Sequence, residues 1–315
     1  MSKPSDLPAY LPRRAARSRF VPLRGLKYHA HLWGDASMVG AERPPLVLMH
    51  GWMDVAASFQ FVVDALAALE REPRFVIAAD WRGFGLTETQ GADTYWFADY
   101  LGDLDALLDA LAPGIAVDLA GHSMGGNIVM SYAAVRPGRV RRLVNLEGFG
   151  LPQTQPHQSP ERLKQWLDEL KTPQQLRSYD SVEEVAARLL KNDPLLSPDK
   201  AAWLAPHWSR RGADGQWHIL GDPAHKRVNP VLYRREEALE TWKRIEAPVL
   251  WVEGDQTDIA KWWGHRYPRE DFEGRLAVVP RLQRHVLSPA GHMLHHDQPE
   301  ALALRLLAFL NDPSA

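Results

Sequence analysis

Residues 121–126 read Gly-His-Ser-Met-Gly-Gly, directly after the apolar run Ile115-Ala116-Val117-Asp118-Leu119-Ala120. A strand that runs into G-x-S-x-G and then a helix forms a nucleophile elbow. The turn is so tight that Ser123 must take strained backbone angles. A Cβ at Gly121 or Gly125 would strike the neighbouring strand or helix. The strain holds Ser123 Oγ above the sheet, at the N-terminus of the next helix, where the helix dipole favours developing negative charge. A serine hydroxyl is a poor nucleophile until a base takes its proton. G-x-S-x-G alone is a weak pattern; here an HG pair stands upstream at His50-Gly51 and a GH pair downstream at Gly291-His292.

These groups need a scaffold, and the composition permits a large one. The chain has 315 residues, 45% of them hydrophobic, and a formal net charge of −2. Near-neutral charge gives no electrostatic footprint for nucleic acid. Cysteine is absent, so disulfides, thiolate nucleophiles and Cys-based metal sites are excluded. Met1 to Phe20 lacks an apolar signal-peptide core. Arg13-Arg14 is followed by Ala15-Ala16-Arg17-Ser18-Arg19 rather than an apolar stretch, so this segment reads as a solvated, partly ordered arm. No run approaches the ~18 apolar residues of a membrane span. The expectation is a cytoplasmic protein; nothing indicates its oligomeric state.

Short apolar runs alternate with helical patterns, the signature of βαβ units and a mostly parallel sheet. Phe20 to Leu23 and Lys27 to Trp33 read as an antiparallel pair around Gly25. Strands follow at Leu46 to Met49, Phe75 to Ala79, Val117 to Ala120, Arg142 to Leu146, Pro248 to Val252 and Arg284 to Leu287. Helical spacing covers Ser58 to Leu69, Tyr95 to Leu111, Met124 to Val135 and Ala301 to Leu310. Over residues 152–240 the pattern changes to prolines, charged helical segments and aromatics, with no buried-strand run. The predicted organisation is a core domain in two parts, residues 1–151 and 241–315, interrupted by a mainly helical insertion over 152–240.

The chain resembles the α/β-hydrolase superfamily over nearly its whole length. The matching residues are His50-Gly51-Trp52, Asp80-Trp81-Arg82-Gly83-Phe84-Gly85, the elbow at Ser123, and Gly291-His292-Met293-Leu294-His295. Asp214-Gly215-Gln216-Trp217, Asp222-Pro223, Pro230 and Tyr233-Arg234 resemble its serine hydrolase-like branch. The resemblance implies an α/β-hydrolase fold, a mostly parallel doubly wound sheet with an inserted lid. One such fold hosts many chemistries.

The same resemblance implies the order nucleophile, acid, base along the chain. His292 is the candidate base, in the loop before the last helix. His122 belongs to the elbow pattern, points away from Oγ and is assigned to packing. The acid orients the imidazole and stabilises the imidazolium. Many superfamily members carry Asp three residues after the Gly that ends the penultimate strand. That Gly is Gly254, and position 257 is Thr257, with Asp255 and Asp258 close by. Haloalkane dehalogenases and some small esterases use a carboxylate after the preceding strand instead. Glu147 stands there, 24 residues after Ser123 and in apolar surroundings. Glu147 is favoured; Asp258 and Asp255 stay open.

An oxyanion hole needs backbone N–H groups aimed at the developing charge. Met124 and Trp52 are the candidates. Asp54 pairs within the loop after Trp52 or caps the helix beyond it. Asp80, Arg82 and Gly83 read as a structural turn with an internal ion pair. The aromatics of the inserted segment suit either a substrate pocket or the segment's own core. His295-His296-Asp297 lacks i, i+4 ligand spacing, and no Gly-rich stretch matches a phosphate or dinucleotide loop. The expectation is therefore a serine hydrolase without cofactor or metal, acting on a small apolar ester or acyl substrate. An acyltransferase or C–C bond hydrolase using the same residues is the alternative. So is a hydrolase-fold ligand receptor with little turnover.

Overall fold

The computed structural model describes residues 10–40, 42–89 and 91–313. Eight strands form the main sheet: β1 (Arg17–Leu23), β2 (Leu26–Trp33), β3 (Leu46–Met49), β4 (Val76–Ala79), β5 (Val117–His122), β6 (Val140–Leu146), β10 (Val249–Gly254) and β11 (Leu282–Leu287). Between β6 and β10 lie the three short strands β7 (Ser178–Tyr179), β8 (Ser209–Arg211) and β9 (Trp217–Ile219). The order across the main sheet is β1-β2-β4-β3-β5-β6-β10-β11. Strands β1 and β2 join antiparallel, and every pairing from β4 to β11 is parallel.

Alternation along the central strands explains why both faces are covered. Val47, Met49, Ile77, Leu119, Leu143 and Trp251 face one apolar cluster. It also holds residues of α2 (Phe97–Leu111) and α3 (Met124–Val135). Leu46, Leu48, Val76, Ala78, Val144 and Leu250 face the other, with α1 (Gln60–Leu69) and α11 (Pro299–Leu310). Successive side chains of a strand point to opposite faces, so strands buried on both sides read as continuous apolar runs. Burial of these faces at roughly 25 cal/mol per Å² is the main term holding the layers together.

The segment between β6 and β10 contributes α4 (Ser159–Leu170), α5 (Val182–Asn192), α6 (Pro198–Trp208) and α7 (Arg235–Trp242). It also holds a small antiparallel sheet in the order β7-β9-β8, which the sequence pattern does not announce. Strands of two or three residues are too short to show a period of two. The turn before β9 is closed by Gly212 N donating to Gln216 O at 2.7 Å, with Gly215 at φ 82°. This segment is stitched to the turn after β4. Gly85 N donates to Leu220 O at 2.9 Å and Asp222 N to Gly83 O at 2.8 Å. Beyond β10 come α8 (Ala260–Trp263), α9 (Arg269–Leu276) and, after β11, α10 (Leu294–Asp297). Helix α9 is equally silent in the sequence: it buries Phe272, Arg275 and Leu276 without an apolar stripe.

Two sequence expectations are corrected here. Residues 1–9 of the expected solvated arm lie outside the described residues, but from Tyr10 onward the chain is anchored. Tyr10 Oη donates to Asp64 at 2.6 Å, Arg13 N and Arg14 N donate to the same carboxylate, and β1 starts at Arg17. Nor do Asp80 and Arg82 pair with each other. The buried Asp80 contacts His29 Nδ1 at 2.7 Å and accepts from Ala56 N and Leu86 N. Arg82 reaches across to Asp103 at 2.6 Å. A turn this tight sends adjacent side chains to different layers, so each charge finds its partner on another element.

Candidate active site

Strand β5 runs straight into α3 through Ser123, whose backbone sits at φ 51°, ψ −113°. A non-Gly residue holds such angles only when its surroundings over-determine them. Here Ser123 N donates to Leu146 O at 2.8 Å and Asn127 N to Ser123 O at 3.1 Å. The glycines leave no alternative. A Cβ on Gly121 would lie 2.4 Å from Gly125 C, and one on Gly125 would lie 2.4 Å from Met49 O. Met124 is the first residue of α3, so its N–H has no partner within the helix.

The loop after β3 passes against this elbow. A Cβ on Gly51 would meet Ser123 Cβ at 3.1 Å and His122 Nδ1 at 2.8 Å. His50, fully buried, sets the next peptide. Its Nε2 accepts from Trp81 N at 2.9 Å, which leaves the proton on Nδ1, and Nδ1 donates to Gly51 O at 2.7 Å. In a trans peptide the carbonyl and the following N–H point in opposite directions. Fixing Gly51 O therefore fixes the direction of Trp52 N–H. The Trp52 side chain is 52% exposed, so what constrains this position is its main chain.

Glu147 follows β6 with φ 57°, the left-handed region, and its side chain is buried. Its Oε2 lies 2.6 Å from His292 Nδ1. Oε1 accepts from Gly254 N at 2.6 Å, and Oε2 also accepts from Thr257 Oγ1 at 2.9 Å. The two competing carboxylates are engaged elsewhere. Asp255 accepts from Ser288 Oγ at 2.6 Å and Ala290 N at 3.0 Å, while Asp258 accepts from Ala260 N at 2.9 Å. The structure thus joins Glu147, and neither Asp255 nor Asp258, to His292. With Nδ1–H given to the carboxylate, His292 Nε2 keeps its lone pair. No hydrogen bond joins Ser123 Oγ to His292 among the described residues. Such bonds are often long before substrate binds.

His122 does more than pack. Its Nε2–H donates to His292 O at 2.8 Å, and its ring lies 4.7 Å from the His292 ring. Burial holds its pKa well below the usual histidine value, so it remains neutral. On the other side of His292, Gly291 N donates to Asp297 Oδ2 at 2.8 Å. The loop that carries His292 is therefore clamped at two consecutive residues. The exposed Trp262 stands edge-on to the His292 ring at 4.5 Å.

Beneath the loop lies a buried polar hub that the sequence spacing concealed. Asp54 accepts from Val55 N and Ser58 Oγ, both at 2.8 Å, and from Trp208 Nε1 of α6 at 3.0 Å. Its Oδ2 is 3.6 Å from His295 Nε2. Burial pushes His295 down to about 4, so it meets Asp54 as a neutral ring. His296 contacts Asp193, next to the end of α5, at 3.3 Å. Asp54, His295 and His296 bring one potential ligand atom each within 4.8 Å of one another, a grouping no local motif announces. Two of these donors fall on Asp54 Oδ1 and one on Oδ2, so the carboxylate acts as a hydrogen-bond hub between the loop and α6. Trp208, Trp203, Trp217 and Tyr179 pack in one apolar cluster with Phe61 of α1 and Val55, so these aromatics seat the inserted segment on α1 and the loop after β3.

The geometry can be set beside known proteins. The model for the alpha/beta hydrolase fold matches residues 44–299. The chain belongs to the alpha/beta hydrolase superfamily of serine hydrolases. Among its relatives is a serine hydrolase-like protein of Dictyostelium discoideum, 25% identical over 301 residues, covering 91% of this chain and 79% of that one. An esterase of Escherichia coli is 25% identical over 284 residues, covering 85% of this chain and 93% of that one. Among solved structures, a thioesterase domain from the curacin biosynthetic pathway superposes with a TM-score of 0.79 at 26% identity. That match covers 93% of this chain and 99% of that one. Among the described residues no helix is long and apolar enough to cross a membrane.

Proposed function

We infer that this hydrolase cleaves a carboxylic ester or related acyl bond through a covalent acyl-enzyme on Ser123. The observation that carries the reading is the 2.6 Å contact from the buried Glu147 to His292 Nδ1, with His122 tying the same base loop to the elbow. Ser123 Oγ attacks the carbonyl carbon while His292 Nε2 takes the hydroxyl proton. Glu147 keeps the imidazole in the required tautomer and balances the imidazolium. The oxyanion is received by Trp52 N–H and Met124 N–H, whose worth lies in being fixed before the charge appears. His292 then protonates the leaving group, and water activated by the same histidine releases the acid. Residues 152–240 act as the lid over this site. The exposed Trp52 and Trp262 favour a small apolar acyl group.

A fluorophosphonate label and a panel of chromogenic esters of rising acyl length test the reading. The wild-type protein is expected to label at Ser123 and turn over short apolar esters. Ser123→Ala should remove labelling and lower turnover by several orders of magnitude. A folded Ser123→Ala protein that still labels and turns over normally would refute it. A wild type that labels at Ser123 but turns over none of the esters favours a receptor over an enzyme.

A further inference from the structure

We propose that Thr257 is a positioning residue that fixes the plane of the Glu147 carboxylate against His292. The proposal rests on reading Ser123, His292 and Glu147 as the reacting set. Glu147 Oε1 has one donor, Gly254 N at 2.6 Å, and Oε2 has two, His292 Nδ1 at 2.6 Å and Thr257 Oγ1 at 2.9 Å. With Gly254 and His292 alone, the carboxylate could still rock about the line joining those contacts. The threonine hydroxyl supplies the third point. An ionised carboxylate oxygen has two lone-pair sites in its plane. When the hydroxyl fills one, the Nδ1–H is directed to the other.

Thr257 is itself held by the frame that carries the base. Thr257 N closes a turn on Gly254 O at 3.2 Å, and Gln256 N donates to Ala290 O at 2.9 Å, two residues before His292. Asp255 closes the frame from the other side by accepting Ala290 N at 3.0 Å. Acid, base and positioning hydroxyl therefore move together. The consequence is catalytic rather than architectural: small displacements of aligned groups cost rate without changing the fold.

The test compares wild type with Thr257→Val, which keeps the shape and loses the hydroxyl, and Thr257→Ser, which keeps the hydroxyl. In Thr257→Val we expect kcat, and the rate of fluorophosphonate labelling, to fall about tenfold, the effect of losing one hydrogen bond to a charged group. KM should stay within about twofold. The low-field proton resonance of His292 Nδ1–H should shift. Thr257→Ser should recover both rate and resonance, with thermal midpoints matched across the three proteins. Unchanged kcat and an unmoved resonance in Thr257→Val overturn the proposal. So does equal loss in Val and Ser variants, which would mark a packing role. Failure of the underlying reading looks different: the label would map away from Ser123 in the wild type itself.

Discussion

The carboxylate of Glu147 and the imidazole of His292, 145 positions apart in the chain, meet at 2.6 Å. Neither can leave that contact easily. Glu147 is held by a left-handed backbone at a strand end and by Gly254 N. His292 is held by His122 through its carbonyl and by Asp297 through the preceding N–H.

The first prediction concerns that pair. Glu147→Gln keeps the shape of the side chain but removes its charge and admits the wrong imidazole tautomer. The expected loss in kcat is on the order of 10²–10⁴, by analogy with other Ser-His-acid sites. Asp255→Asn and Asp258→Asn should each stay within about fivefold of wild type, since their partners lie off the His292 ring. Steady-state kinetics on one chromogenic ester suffices. A large loss in either Asn variant, with Glu147→Gln near normal, moves the acid to the loop after β10.

The second concerns His50, whose two ring nitrogens do separate jobs. Nδ1 donates to Gly51 O and so aims Trp52 N–H, while Nε2 serves Trp81 N. Asn places an amide nitrogen where Nδ1 stood; Gln reaches the Nε2 position instead. His50→Gln is expected to lose more kcat than His50→Asn, approaching the roughly 10²-fold cost of a lost oxyanion donor. His50→Asn should lose more stability, about 1–3 kcal/mol for the buried Trp81 N–H left unpaired. Equal kcat in the two variants would detach His50 from the oxyanion site.

Much of this is legible in the chain because the physics is local. Leu46 to Met49 and Val117 to Ala120 declare buried parallel strands by their largely apolar character. The elbow declares itself because only glycine tolerates positions 121 and 125. Glu147 can be singled out by its distance from Ser123 and its apolar flanks. The hidden features depend on contacts far apart in sequence. Nothing in Thr257 announces that its hydroxyl meets Glu147, 110 positions earlier. Arg82 reads as the partner of its near neighbour Asp80, although its true partner Asp103 lies on α2. His295 and His296 show no ligand spacing because the third member of their cluster, Asp54, comes from another loop.

A third prediction arises at the join between α6 and the core. Trp208 Nε1 donates to the buried Asp54 carboxylate at 3.0 Å. Trp208→Phe keeps the aromatic body and removes the donor. The expected cost is about 1.5–3 kcal/mol, the range for a hydrogen bond to a charged group. Denaturant titration reads it directly. A change below about 0.5 kcal/mol would mean that the bond does not tie α6 to the loop after β3.

The last prediction is acid sensitivity centred on the buried hub. Burial, the largest cause, pushes His295 down to about 4, with repulsion from His296 adding to the shift and the nearby Asp54 and Asp193 opposing it. His31 and His225 are likewise lowered by burial to about 4. The unfolded chain takes up these protons near pH 6.5, whereas the folded protein resists until near pH 4. Between those limits the unfolded state binds more protons at these three histidines, so their contribution to stability falls as pH falls, while Asp297, raised to about 8 by burial and by Asp193, works in the opposite direction over the same range. His295 alone sets a loss on the order of 3 kcal/mol across that window. Asp54, held well below the usual carboxylate range although burial opposes it, extends the decline to lower pH. Thermal midpoints measured from pH 7 to pH 4 should drop steadily. His295→Gln cannot take up a proton and should flatten the slope, even if its midpoint at pH 7 is lower. A slope that is unchanged in His295→Gln would show that protonation of this residue does not drive the loss.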